Sequence, residues 1–305
     1  MPLTRKQFLD IAGPGALGAF AYSTLASPID AEARHADDGG VALEANEQRF
    51  SYMASAVALG GRMEIPFADL LDAQAATALP PMGGRGVAKV ENYRYGQVER
   101  GSYLHIVSLD SAHSEVFGNK DEKTGEIVTL TTVTLKGLNV GNRITADKIV
   151  ARLTSVRKPG TSEPPFYHRE STIEKLIVDK QVVELVPDED LNNCPTFASA
   201  AEHYQKARPE ILRRRRYQHV PRKNSEPYPD VMLLTSVFKQ PPGFPVCPDA
   251  LPGQCCIRAG NWSVTLGDLE ITPESRRLTM VRVKMVPNQR GTIEAASVIG
   301  DGRDP

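Results

Sequence analysis

Most of the chain consists of short segments in which apolar and polar residues alternate or β-branched residues cluster. The densest such segment, 127–135, holds four threonines among Ile, Val and Leu, a composition typical of a half-buried strand. Gly137, Gly141 and Asn142 then interrupt the run, because Gly and Asn tolerate the positive φ of tight turns. This pattern predicts a strand that ends before Gly137, followed by a turn.

The chain resumes as a second strand over 144–155. Three apolar residues fall on one face of this strand and three polar residues on the other: Ile149, Ala151 and Leu153 against Lys148, Arg152 and Thr154. One buried face and one wet face is the pattern of an antiparallel sheet. The two strands together predict an antiparallel β-scaffold.

Strand-like segments with turn signals recur over 50–299 and predict a mainly β fold, an antiparallel β-sandwich or a barrel-like domain. The exception is TFASAAEHYQKA at 196–207, which predicts a helix, with Pro209 beyond its end. With the basic, proline-rich residues that follow, this helix defines a helical, arginine-rich insertion at 191–229. Residues 300–305 are expected to form a tail.

Residues 1–33 have the layout of an export signal peptide. Arg5 and Lys6 precede an apolar Gly/Ala-rich run, and Ala31-Glu32-Ala33 supplies the small residues of a cleavage site. The start resembles a twin-arginine signal in which Lys6 replaces the second arginine, so the twin-arginine and Sec routes both stay open. We expect a bacterial protein exported to the periplasm, cell surface or extracellular space, with a flexible lead-in at 34–49. No stretch predicts a transmembrane helix.

Four cysteines in an exported chain predict disulfides. Cys247 is expected to pair with Cys255 or Cys256, and the other member of that adjacent pair with Cys194. A metal or thiol site using three of these residues with His203 is the alternative, although their spacing matches no zinc motif.

Segment 105–115 gathers residue types used in nucleophilic catalysis or metal binding, namely His105, Ser108, Asp110, His113 and Glu115. Alternate residues of a strand point to opposite faces, so closeness in sequence is weak evidence for a site. A wet sheet face carrying two histidines is the simpler interpretation.

A basic stretch interrupts an otherwise acidic chain. Residues 206–223 hold eight Lys or Arg against one acid, whereas the whole chain has a net charge of −1. Its candidate binding residues are Arg213, Arg214, Arg215, Arg216, Arg222 and Lys223. Anionic polysaccharide, lipid headgroups or an acidic protein are the partners that this charge favours, and a solvated connector is the alternative. Specific nucleic-acid binding is not expected, because no aromatic residues interleave with the arginines.

Several blocks carry a family resemblance: AVALGG at 56–61, Gly137-Leu138, ITADKIVA at 144–151 and RLTM at 277–280. They resemble exported bacterial β-rich proteins of uncharacterised function, and the middle blocks are similar to the choice-of-anchor families of surface proteins. The resemblance implies an extracytoplasmic β-domain of cell-surface type. It supplies no catalytic residues.

The chain lacks the G-x-S-x-G, H-E-x-x-H and phosphate-loop motifs and a dinucleotide glycine pattern. We therefore expect a secreted or envelope-associated structural or binding protein without cofactor or metal. The first alternative is a secreted hydrolase, with glycans as its candidate substrates and its site at 105–115. The second is a metal- or redox-linked protein that uses the cysteines.

Overall fold

The computed structural model describes residues 50–65, 68–99, 102–161, 163–207, 212–214, 231–272, 275–286 and 290–303. The predicted signal peptide and lead-in lie outside these ranges. The described elements, in chain order, are β1 Ser51–Ile65, β2 Asp69–Gln74, β3 Thr77–Ala78, β4 Gly84–Glu99, β5 Ser102–Lys120, β6 Ile127–Val140, β7 Ile144–Arg157, β8 Phe166–Tyr167, β9 Thr172–Glu174, β10 Ile177–Val178, β11 Gln181–Val182, α1 Glu189–Asn192, α2 Phe197–Ala207, β12 Leu212–Arg214, β13 Val231–Ser236, β14 Cys255–Ala259, β15 Trp262–Ile271, β16 Ser275–Met285 and β17 Arg290–Arg303.

The strands form two antiparallel sheets. Sheet I has the order β12-β13-β15-β16-β17-β1-β2, with β14 beside β15 and β3 beside β1. Sheet II has the order β11-β10-β7-β6-β5-β4, with β8 and β9 beside β7. Strands β1, β16 and β17 of sheet I pack against β5, β6 and β7 of sheet II. The predicted mainly β fold is therefore confirmed, and the two separate sheets select the sandwich over the barrel-like alternative.

The central hairpin shows how the sequence pattern creates the core. Ile149, Ala151 and Leu153 of β7 are buried, as their alternation predicts. The predicted end of β6 is wrong, however, because the strand continues through Gly137 to Val140. Gly137 has φ +66°, and at this residue the inward positions shift by one although β6 keeps its register with β5 and β7, so that Leu138 is buried on the same side as the odd-numbered residues before it.

The last strand, β17, lies between β1 and β16 in the middle of sheet I. It extends through residues 300–303, which the sequence pattern assigned to a tail, and Arg303 lies opposite Ser51 of β1. The backbone hydrogen bonds of two neighbouring strands hold this segment in place, although its side-chain pattern is not apolar.

The insertion covers the part of sheet I around β13. Helix α2 lies where the sequence predicts it and buries Phe197, Ala200 and Tyr204. Backbone hydrogen bonds join the residues just before the insertion to those after β13: the Asp188 amide donates to the Val237 carbonyl, and the Lys239 amide to the Val186 carbonyl. Neither described helix has the length and apolar character needed to cross a bilayer.

The single tryptophan, Trp262, connects the two sheets. The guanidinium of Arg143, in the β6–β7 turn, lies 5.1 Å from the centroid of the Trp262 ring. The same guanidinium donates two hydrogen bonds of 2.7 Å to the Asp179 carboxylate. Gly141 has φ +57°, and a Cβ at this position would lie 2.4 Å from Cη2 of Trp262. The turn of sheet II therefore needs glycine to approach the indole of sheet I.

Candidate functional site

Segment 105–115 does not form a catalytic cluster. His105 Nε2 lies 3.1 Å from Ser108 Oγ, and His113 lies 3.7 Å from the Glu115 carboxylate, which also accepts a hydrogen bond from Arg85. The two histidines are eight residues apart along β5, which at about 3.3 Å per residue separates them by about 26 Å. The side chains of segment 105–115 therefore do not converge into the catalytic site that the hydrolase alternative requires.

The cysteines form one disulfide, Cys247–Cys256, as predicted for the proline-rich loop. The predicted second disulfide is wrong, because Cys194 and Cys255 are free, buried thiols. Adjacent residues on a strand point to opposite faces. Cys255 lies opposite the core residue Leu266 and shares its face, so only Cys256 is directed at the loop.

The two free thiols are unsuited to metal or redox chemistry. Burial raises the pKa of Cys255 to about 12, and burial also raises the pKa of Cys194. Both thiols therefore stay protonated at neutral pH, whereas metal ligation and nucleophilic attack require the thiolate. Within the described ranges, no three His, Cys, Asp or Glu side chains are grouped as metal ligands.

The basic stretch lies partly at the edge of sheet I. Arg213 and Arg214 belong to β12, the terminal strand of the sheet, opposite Met232 and Val231 of β13. The other candidates, Arg215, Arg216, Arg222 and Lys223, lie outside the described residues. The binding role of this stretch stays a prediction.

The structure adds a residue that the sequence pattern did not identify, namely Arg276 on β16. Its side chain is 3% exposed and points between the sheets, while its neighbour Arg277 points outward and pairs with Glu294 at 2.8 Å. Strand alternation fails to identify it because the buried positions of β16 change from even-numbered to odd-numbered between Leu278 and Val281, where the neighbouring strands carry the positive-φ residues Gly267 (φ +58°) and Ala296 (φ +53°). The buried residues near the end of β16 are odd-numbered, and extending that alternation back along the strand wrongly predicts that Arg276 points outward.

Arg276 has an incomplete set of partners. Its Nη2 donates to the Pro195 carbonyl at 3.0 Å, and its guanidinium carbon lies 5.3 Å from the centroid of the Phe166 ring. Nη1 is buried and has no hydrogen-bond partner among the described residues. Burial lowers the pKa of Arg276 to about 10, although the charge of Glu163 opposes that effect. The environment therefore disfavours the arginine's charge.

Glu163 is the acid whose charge stabilises the charged form of Arg276, but its carboxylate is bound to helix α2. It accepts a hydrogen bond from the Phe197 amide and one of 3.2 Å from the Ala198 amide. An acid that caps a helix N-terminus satisfies amide groups that have no partner within the helix. No acid among the described residues forms an ion pair with Arg276, so its positive charge is only partly compensated.

A cavity of about 150 Å³ opens between the insertion and the end of β13. We call it the His168 pocket, and its lining contains no acidic residue: His168, Arg169, Ser171, Thr172, Ile173, Leu185, Pro187, Asn192, Val237 and Phe238. Arg169 Nη2 donates to the Asn192 carbonyl at 3.3 Å, and the side-chain Oδ1 of Asn192 is buried without a partner in the part of the chain described. The pocket wall is thus positively charged and polar on one side.

Arg276 acts on this pocket through His168. Burial and then the positive charges of Arg276 and Arg169 together lower the pKa of His168 to about 4. His168 is therefore neutral at pH 7. Two guanidinium groups raise the electrostatic potential at a cavity that offers no carboxylate, an arrangement suited to an anion.

A family described as a domain of unknown function (DUF8256) matches residues 50–238, more than half of the chain. The chain belongs to this family. No curated protein and no solved structure matches it. The DUF8256 match contains every residue that lines the His168 pocket, whereas Arg276 and the central strand β17 lie beyond it. The resemblance to choice-of-anchor families stays a prediction.

Proposed function

We propose that this DUF8256 protein is a non-catalytic binding module that acts outside the cytoplasm and holds a small anionic ligand in the His168 pocket. The observation that carries the proposal is a half-open cavity with Arg169 and His168 in its wall, no acid in its lining and the charge of Arg276 beside it.

The buried charge of Arg276 gives the protein an energetic reason to bind an anion. A buried cation without a matched anion is costly, because burial removes its hydration shell and one hydrogen bond to a carbonyl replaces only part of it. A bound anion near His168 would interact favourably with both Arg276 and Arg169. The protein thus carries an unfavourable charge that a ligand of the opposite sign would compensate.

A hydrolytic role for the same pocket is less well supported. Ser171 and His168 both line the cavity, but the Ser171 hydroxyl accepts a hydrogen bond of 2.9 Å from the Arg152 amide and donates one of 3.1 Å to the Arg152 carbonyl. A serine nucleophile needs its hydroxyl proton directed at a base. Here that proton is directed at β7, which favours binding over catalysis.

The extracytoplasmic part of the proposal rests on the signal-peptide pattern of residues 1–33 and on the disulfide Cys247–Cys256, since disulfides persist in oxidising compartments. Mass spectrometry of the protein from fractionated cells tests it. We expect an N-terminus near Arg34 in an extracytoplasmic fraction, with one disulfide and two free thiols. A cytosolic chain that retains residues 1–33 would contradict this part.

Anion binding can be tested by thermal unfolding with acetate, butanoate, sulfate and phosphate in separate series. An anion at about a hundred times its Kd stabilises the folded protein by about 3 kcal/mol. We expect at least one anion to stabilise the wild type and the control Arg85→Met, and to stabilise Arg169→Met and Arg276→Met much less. Arg85 is an exposed residue that pairs with Glu115 and lies on β4, at the edge of sheet II opposite to β10 and β11. Equal stabilisation of all four proteins, or of none, would contradict the proposal.

A further inference from the structure

The walls of the His168 pocket divide into a charged half and an apolar half. The charged half contains His168, Arg169 and Asn192, and the apolar half contains five residues: Ile173, Leu185, Pro187, Val237 and Phe238. The isolated bridge between Pro187 and Phe238, with backbone hydrogen bonds on either side of it, fixes much of the apolar half. The pocket is therefore amphipathic and has a defined orientation.

The volume limits the size of the ligand. A cavity of about 150 Å³ holds roughly six non-hydrogen atoms, because a molecule as small as benzene fills a cavity of this size. A sugar residue, a nucleotide or a long acyl chain would extend far outside it. An inorganic oxyanion would fit, but it would place charge against the apolar wall without hydrogen-bond donors.

We infer that the ligand is a short-chain monocarboxylate, whose carboxylate lies at His168 and Arg169 and whose hydrocarbon chain lies against Leu185, Val237 and Phe238. This inference rests on the proposed binding function and specifies its ligand. One carboxylate matches the planar donor set of a guanidinium, and the short chain removes apolar surface from water on both sides of the contact.

The charges around His168 predict a second observable property of carboxylate binding, namely uptake of a proton. Arg276 on β16 and Arg169 on its own segment are the charged groups that lower its pKa, and the other lining residues are uncharged. A bound carboxylate adds a negative charge, which favours the imidazolium. Binding of the carboxylate should therefore be accompanied by uptake of a proton by His168, and the affinity should rise as the pH falls from neutral until the ligand's own carboxyl group protonates.

Isothermal titration calorimetry tests both signatures. Butanoate, 1-butanol, butylammonium and inorganic phosphate are titrated into the full mature protein at about pH 7.5 and about pH 5.5, each in two buffers of different ionisation enthalpy. We expect butanoate to bind more tightly at the lower pH, with a heat that depends on the buffer. The alcohol and the ammonium ion should bind at least about tenfold more weakly, because the alcohol offers arginine one neutral acceptor in place of a carboxylate and the ammonium ion offers none.

Variants assign the effect to the pocket. Arg169→Met, at an exposed position that should not impair folding, is expected to weaken butanoate binding about tenfold. His168→Gln should remove the buffer dependence of the heat. Butanoate binding that is unchanged by Arg169→Met, or a heat without buffer dependence in the wild type, would overturn the inference.

Comparison of butanoate with phosphate distinguishes failure of the monocarboxylate inference from failure of the proposed anion-binding function. Binding of phosphate without binding of butanoate would overturn the inference and leave anion binding standing. If neither anion binds, the inference and the proposed function both fail.

Discussion

Replacement of Arg276 by methionine gives the sharpest stability prediction. Methionine keeps most of the length and apolar contact of the side chain against Phe166, but it removes the charge. If Arg276 is held for binding rather than for stability, Arg276→Met should fold at least as well as the wild type when chloride is the only small anion present.

The magnitude follows from three contributions. A pKa of about 10, against 12.5 for an ordinary arginine, corresponds to about 3 kcal/mol against the charged form. Loss of the hydrogen bond to the Pro195 carbonyl costs about 1 kcal/mol. Loss of the cation–π contact with Phe166 costs about 1 kcal/mol more. The variant is therefore expected to gain about 1 kcal/mol in the free energy of unfolding.

Urea unfolding followed by the fluorescence of Trp262, the only tryptophan, measures this free energy. Arg277→Met is the matched control, because Arg277 is the next residue on β16, faces outward and pairs with Glu294. The control should lose about 1 kcal/mol, since Glu294 loses one of its two arginine partners and keeps its ion pair with Arg282. A loss of more than about 2 kcal/mol in Arg276→Met would show that the arginine supports the fold, which contradicts a role in binding at the expense of stability.

Three further predictions concern other parts of the chain. Because the pKa of His168 is lowered to about 4, the unfolded chain binds more protons below about pH 6.5. Between about pH 7.5 and pH 5, urea unfolding should show the wild type losing up to about 2 kcal/mol more than His168→Gln, and an equal loss would contradict the burial of this ring. Gly141→Ala should lose about 2 kcal/mol or more because its Cβ would contact Trp262, whereas Gly243→Ala, with φ +81° but open space, should lose only about 1 kcal/mol. Replacing residues 213–216 by alanine should abolish salt-dependent retention on a sulfated polysaccharide, and unchanged retention would eliminate the basic stretch as a binding element.

The sheet framework can be predicted from the sequence because burial in a sandwich follows a period of two. The buried faces of β6 and β7 follow from their alternation, and helix α2 follows from its local composition. Prediction fails where the register depends on a neighbouring strand. Gly137 on its own predicts a turn, but the pairing of β6 with β5 and β7 continues in the same register on both sides of it.

The candidate site could not be predicted, because its residues are brought together by contacts between distant elements. His168 lies between β8 and β9, Asn192 lies in the insertion and Val237 follows β13, so no short motif joins them. Arg276 has no sequence signature, since the buried positions of β16 shift by one between Leu278 and Val281 and place Arg276 on the inner face. The histidines of β5 show the opposite case, in which closeness in sequence places side chains far apart along an extended strand.

Diffraction from crystals of the mature protein grown with 3-bromopropanoate locates the bound ligand, because the bromine marks the hydrocarbon end of a six-atom carboxylate by its anomalous signal. We expect bromine density beside Leu185, Val237 and Phe238, with the carboxylate within hydrogen-bonding distance of His168 or Arg169. An unoccupied pocket at a concentration that saturates calorimetric binding, with bromine elsewhere on the protein, would contradict it.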